Sequence, residues 1–132
     1  MSAQDSLTLS QGLQAPSQAR AWTSARIPEP LRPIAADALL IVSELVTNAV
    51  RHGRPDIVLS VEMLSDRIRI EVRDGNDAVP TVPAEDPAVD RPTGRGLLIV
   101  AATASDWGVV STGEPGKCVW AEIRADRSGR DR

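Results

Sequence analysis

Phenylalanine and tyrosine are absent from this chain of 132 residues, and tryptophan occurs only as Trp22, Trp107 and Trp120. An interior must therefore be aliphatic, which a 42% share of hydrophobic residues allows. The single cysteine, Cys118, excludes an internal disulfide and hence a small scaffold stapled by bridges. One histidine and one cysteine are too few for a usual zinc site. Basic charge is not in excess, since 15 Lys and Arg face 18 Asp and Glu for a net −3. A direct nucleic-acid partner is therefore not expected, because phosphate binding wants a basic face. The longest apolar run, Leu97 to Ala102, falls far short of a membrane span. The opening residues have neither a basic start nor an apolar stretch, so no signal peptide is read and a cytoplasmic location is expected. Lysine is nearly absent too: Lys117 is the only one, read here as a solvated loop residue.

What is present fits one domain with its own core. Residues 1–15 read as an N-terminal segment, either an edge strand around Leu7 to Leu9 or disordered. Residues 16–124 read as the domain and residues 125–132 as a polar tail. Pro16 to Ile27 patterns as a short helix, after which Pro28, Pro30 and Pro33 break the chain. Ile34 to His52 carries the strongest helical signal: its aliphatic residues fill one half of the helical wheel, and only Leu40 is out of place. Gly53 follows directly, as a helix stop should. Ile57 to Met63 and Ile68 to Val72 alternate as strands, with Ser65-Asp66 as the hairpin turn. Gly96 to Ser105 reads as a helix apolar all round and hence buried. Val109 to Ser111 and Val119 to Ile123 read as two further strands. Helices segregated to one face of a mixed, mostly antiparallel sheet make an α+β two-layer sandwich.

Three polar features stand apart from this core pattern. Glu44 and Asn48 lie four residues apart, on one helix face. Alone they would read as a solvated face. Asp74 ends a strand and is followed by Gly75, a pattern that also makes a common turn. Gly94-Arg95-Gly96 opens the next helix after a proline-rich, acidic stretch, Asp77 to Thr93. Each feature has a use for a nucleotide. A carboxylate at a strand end accepts a hydrogen bond from the adenine amine, whereas guanine would set oxygen against oxygen. Glycines before a helix let backbone N–H groups approach phosphates. An Asn oxygen suits Mg²⁺, and a Glu one turn earlier can take a proton from an attacking hydroxyl.

The stretch Ser43 to Gly53 (SELVTNAVRHG) resembles the N box of the Bergerat-fold (GHKL) ATPases, the group of gyrase and the histidine kinases. Val72 to Pro80 (VRDGNDAVP) resembles their first glycine box and Gly94 to Val100 (GRGLLIV) their second. The wording is most similar to the anti-sigma factor serine/threonine kinases, and Gly116 to Ile123 fits the last strand of that branch. The resemblance spans roughly residues 15–124 and implies Mg·ATP as the ligand. It implies Glu44 as the general base, Asn48 as the Mg²⁺-holding residue and Asp74 as the adenine reader. Gly94, Arg95, Gly96 and Leu97 would border the phosphates, with residues 77–93 as the ATP lid. His52 would touch phosphate or lid, or else cap its helix. The implied partners are a sigma factor and an anti-anti-sigma (STAS-type) protein whose serine receives the γ-phosphate. A homodimer is a further expectation, and a non-catalytic module that sequesters a protein partner is the alternative.

Two positions depart from the family pattern. The first glycine box usually reads Asp-x-Gly, but here Gly75 comes one place early and Asn76 follows. Asn76 would then shape the adenine-side wall, and asparagine tolerates positive φ. Cys118 stands where a threonine usually supports the adenine through water, and a thiol is a weaker donor. Its expected cost is about 1 kcal/mol, the net worth of an ordinary hydrogen bond.

Overall fold

A computed structural model of the chain describes residues 3–76, 95–111 and 116–125. The elements are β1 (Ala3–Leu9), α1 (Ala15–Ser24), α2 (Ala35–His52), β2 (Ile57–Met63), β3 (Arg67–Asp74), α3 (Arg95–Thr103), β4 (Asp106–Ser111) and β5 (Lys117–Arg124). The N-terminal segment is an edge strand, longer than Leu7 to Leu9. A 3-10 turn over Glu29–Ile34 follows Pro28, carries Pro30 and Pro33 and leads straight into α2, where the sequence suggests only a break. The lid stretch 77–93, Gly94 and most of the tail lie outside the described residues.

Among the described residues five strands form one sheet in the order β1-β2-β3-β5-β4, and all four pairings are antiparallel. Hairpin neighbours β2 and β3 are joined at Ser65-Asp66, where Leu64 N–H donates to the Arg67 carbonyl. The return strand β5 slots between β3 and β4, so the sheet centre is β3. Helix α2 packs across β2, β3 and β5, with α1 and α3 on its flanks.

Strand alternation sorts the two faces. Ile57, Leu59 and Val61 of β2, Ile68, Ile70 and Val72 of β3, and Val119, Ala121 and Ile123 of β5 point under the helices and are buried. They meet Ala38, Ile41, Val42, Leu45, Val46 and Ala49 of α2. The stretch from Glu29 to His52 is long and apolar enough by composition to cross a membrane, but its apolar stripe is spent on this core. Leu40, the misfit on the wheel, is exposed. Helix α3 is not buried all round: Leu97 and Val100 enter the core while Ala101 and Ala102 face solvent.

The other sheet face is a lattice of charge. Arg69 bonds Glu71 at 2.8 Å and Glu122 at 2.9 Å, and its guanidinium stacks 4.5 Å from the Trp120 ring. Burial alone would lower the Arg69 pKa, but the two carboxylates outweigh it and raise it. Trp120 lies over Gly108, where a Cβ would come within 2.9 Å of the indole nitrogen. Two layers are thus defined by one apolar and one ion-paired sheet face.

Truncating the central strand should show how the core carries stability. Ile70→Ala is expected to cost about 2–5 kcal/mol in urea unfolding. Leu13→Ala, at a residue 97% exposed, should stay within about 0.5 kcal/mol.

Candidate functional site

The site is built where three element ends converge. Helix α2 ends at His52, β3 ends at Asp74, and β5 begins at Lys117. Glu44, Asn48 and His52 follow one another at four-residue steps along α2, a stripe that drifts only about 40° per step. Glu44 and Asn48 are half-buried and His52 is exposed. Ser43, on the same polar half, accepts a 2.9 Å bond from Arg20 of α1.

Asp74 sits on the core face of β3, in step with Ile70 and Val72, and is 3% exposed. A carboxylate in that position must be compensated. Its Oδ1 accepts the Asn76 backbone N–H at 2.7 Å. The compensating charge is Lys117, its direct cross-strand partner in β5. Lys117 Nζ donates to Asp74 Oδ2 at 2.9 Å and Oδ1 at 3.2 Å, and to the Asn76 carbonyl at 3.2 Å. The lysine read as a solvated loop residue is 4% exposed and belongs to a strand. The alternation that sets Val119, Ala121 and Ile123 inward carries back two residues to Lys117, and that was the signal for it.

The same alternation turns Cys118 to the opposite face. Its thiol lies 3.9 Å from Glu71 Oε1, not beside Asp74. Burial, helped by Glu71, pushes the thiol pKa up. The expectation that Cys118 replaces a base-supporting threonine is thus corrected: the residue beside Asp74 is Lys117.

Asn76 has no positive φ. Its side-chain nitrogen donates to the His52 carbonyl at 2.7 Å, which gives the end of α2 a partner for an otherwise unpaired carbonyl. Gly75 N–H donates to the Arg54 carbonyl at 2.8 Å. A Cβ on Gly75 would stand 2.5 Å from the Pro55 carbonyl, so glycine is required there by close approach. Gly53 is required for a related reason. Its backbone is extended, not left-handed, but a Cβ would meet the Ala49 carbonyl at 2.6 Å and Asp74 Cγ at 2.7 Å. The Gly53 stop and the Asp74 turn are thus two sides of one contact.

Arg95 and Gly96 open α3, which packs on α2, and Leu97 is a buried core residue. Gly94 lies outside the described residues. Among the described residues no group of three His, Cys, Asp or Glu side chains converges to hold a metal. An ion here would need ligands beyond the protein, as Mg²⁺ takes from phosphates, with Asn48 as the protein oxygen.

The sequence profile of the histidine kinase-like ATPase domain matches residues 9–123. The chain belongs to the histidine kinase-like ATPase family. Membership accounts for the antiparallel sheet under helices and implies ATP as the ligand. Among solved structures, this ATPase domain is similar to the RsbU and RsbW domains of Rv1364c from Mycobacterium tuberculosis. That match has a TM-score of 0.62 at 22% identity, and covers 92% of this chain and 32% of that one. It is also similar to the histidine kinase domain of the blue-light activated histidine kinase of Erythrobacter litoralis EL346. There the TM-score is 0.50 at 23% identity, covering 73% of this chain and 46% of that one. At these identities the likeness is one of fold. The domain spans about a third of the first chain and under half of the second. No curated protein sequence matches it.

Two outcomes follow from this packing. Gly53→Ala should cost about 1–3 kcal/mol by overpacking, read as a fall in the urea midpoint. At pH 7 iodoacetamide should modify Cys118 in the folded domain at least about tenfold more slowly than in the urea-unfolded chain, because a raised pKa leaves less thiolate at any pH below it.

Proposed function

We propose that this ATPase domain binds Mg·ATP and acts in the cytoplasm as an anti-sigma-factor-type serine/threonine kinase. The observation that carries the reading is at the end of α2, where the helix bearing Glu44, Asn48 and His52 closes at Gly53 and through Asn76 on the buried carboxylate of Asp74. Asp74 would face the 6-position of the base. Asn48 would hold the ion, and His52 and the start of α3, with Gly94, Arg95 and Gly96, would border the phosphates. When bound, Mg²⁺ supplies charge neutralisation for the phosphates.

Glu44 then has one task. It accepts the proton of a serine hydroxyl as that oxygen attacks the γ-phosphorus, and the bond to the β-phosphate oxygen breaks to release ADP. The serine would belong to an anti-anti-sigma (STAS-type) protein, and a sigma factor would be the second partner. The RsbU and RsbW domains of the mycobacterial neighbour support a regulatory protein as the partner class.

A second reading draws on the Asp74–Lys117 pair. The carboxylate is already neutralised within the protein, which favours a module that captures a protein partner without turning over nucleotide.

A thermal-shift titration with Mg·ATP, followed by labelled-phosphate transfer to STAS-type proteins of the same genome, separates the two. The kinase reading expects about 2.7 kcal/mol of stabilisation at ATP 100 times its Kd. It also expects phosphoserine on one STAS protein, with transfer reduced about 10²–10⁴-fold in Glu44→Ala while ATP still binds. ATP binding with no transfer to any of them leaves the capture module standing. No stabilisation by ATP removes the kinase reading.

A further inference from the structure

The chain's only lysine stands against the carboxylate that would read the base, and this changes which bases fit. A lone carboxylate is an acceptor only. It takes a hydrogen bond from the 6-amino group of adenine and repels the 6-oxygen of guanine or hypoxanthine. In this domain the carboxylate has a donor beside it. Lys117 Nζ is 2.9 Å from Oδ2 and 3.2 Å from Oδ1 of Asp74, on the same face of neighbouring strands. A group that hydrogen-bonds to either oxygen therefore comes within reach of the ammonium as well.

The pair thus offers acceptor and donor side by side. A 6-aminopurine can give its amine to Asp74 and receive from Lys117 at N1. A 6-oxopurine can give its N1–H to Asp74 and receive from Lys117 at O6. The two patterns are opposite in sense, and one ion pair satisfies either. The ammonium has three N–H groups on three acceptors, so contacting a base means releasing one of them. The 3.2 Å bond to the Asn76 carbonyl is only part-buried and is the one to yield. Both carboxylate contacts can then persist, and the buried charge stays paired.

We propose that Lys117 sets base selectivity in this site and opens it to 6-oxopurine nucleoside triphosphates alongside ATP. The proposal rests on the reading of Asp74 as the base-facing group. The test is equilibrium titration of the full chain with Mg·ATP and with Mg·ITP, whose base carries the 6-oxygen and N1–H without guanine's 2-amino group. Wild type is expected to bind the two within about tenfold of each other, against on the order of 10⁴-fold for a site that leaves a buried polar group unmatched. Lys117→Met should weaken ITP at least about tenfold more than ATP: both bases lose a bond from Lys117, but only the 6-oxopurine is left with its oxygen against an unscreened carboxylate.

ATP binding with ITP more than about tenfold weaker in wild type overturns the proposal and leaves the ATP reading intact. An unchanged ratio in folded Lys117→Met overturns Lys117 as the determinant. Should that variant fail to fold, with a buried carboxylate left unpaired, the wild-type ratio decides alone. Binding of neither nucleotide removes the ATP reading and this proposal with it.

Discussion

A carboxylate and an ammonium buried side by side, Asp74 and Lys117, tie together the three element ends on which the site depends. Desolvating two charges is costly, and such a pair is sustained only when both partners keep good hydrogen-bond geometry. Here the remaining bonding capacity goes to the Asn76 backbone: its N–H to Asp74 and its carbonyl to Lys117. The pair therefore holds the turn after β3 as well as the two strands. Asn76 passes the constraint to the last carbonyl of α2, and Gly53 lets that helix end close on the Asp74 carboxylate. Removing either charge would leave the other buried without its partner.

Helix α2 is the element that serves both the core and the site. One half of its surface is aliphatic and closes the sheet. The other half carries Glu44 and Asn48, held at the angle that the core half dictates. The opposite face of the sheet solves a different problem. With no helix over it among the described residues, β3 and β5 pair Arg67, Arg69, Glu71 and Glu122 and lay Trp120 over Gly108 and Arg69. Arginine suits this surface because its planar fork bonds two carboxylates while its face stacks on an indole.

Much of the architecture was legible because period-2 and period-3.6 patterns are strong where burial is one-sided. The wheel of α2, including its misfit at Leu40, and the alternation of β2 and β3 show this. The 3-10 turn at Glu29–Ile34 was missed because three prolines signal a break but not the tight turn they can still form. Helix α3 was over-read: a short apolar run has no periodicity to tell which side meets the core, and Ala101 and Ala102 are small enough to tolerate solvent. Glu44, Asn48 and Asp74 were legible as candidates, because their spacing and order carry the family resemblance. Which of Lys117 and Cys118 stands beside Asp74 was not legible, because a one-residue shift in a strand exchanges its two sides.

Composition and local periodicity are enough for an aliphatic, disulfide-free α+β domain and for the polar stripe on its main helix. The sequence also carried the order of boxes that marks the ATPase family. What surrounds Asp74 is set by long-range folding. Lys117 lies 43 positions away along the chain, at the other side of a strand pairing. Gly53 and Gly75 have to be glycine because of backbone atoms brought close by folding. Register across β3 and β5 and the docking of the α2 end against them are long-range facts, and no local pattern encodes which distant charge will meet a buried one.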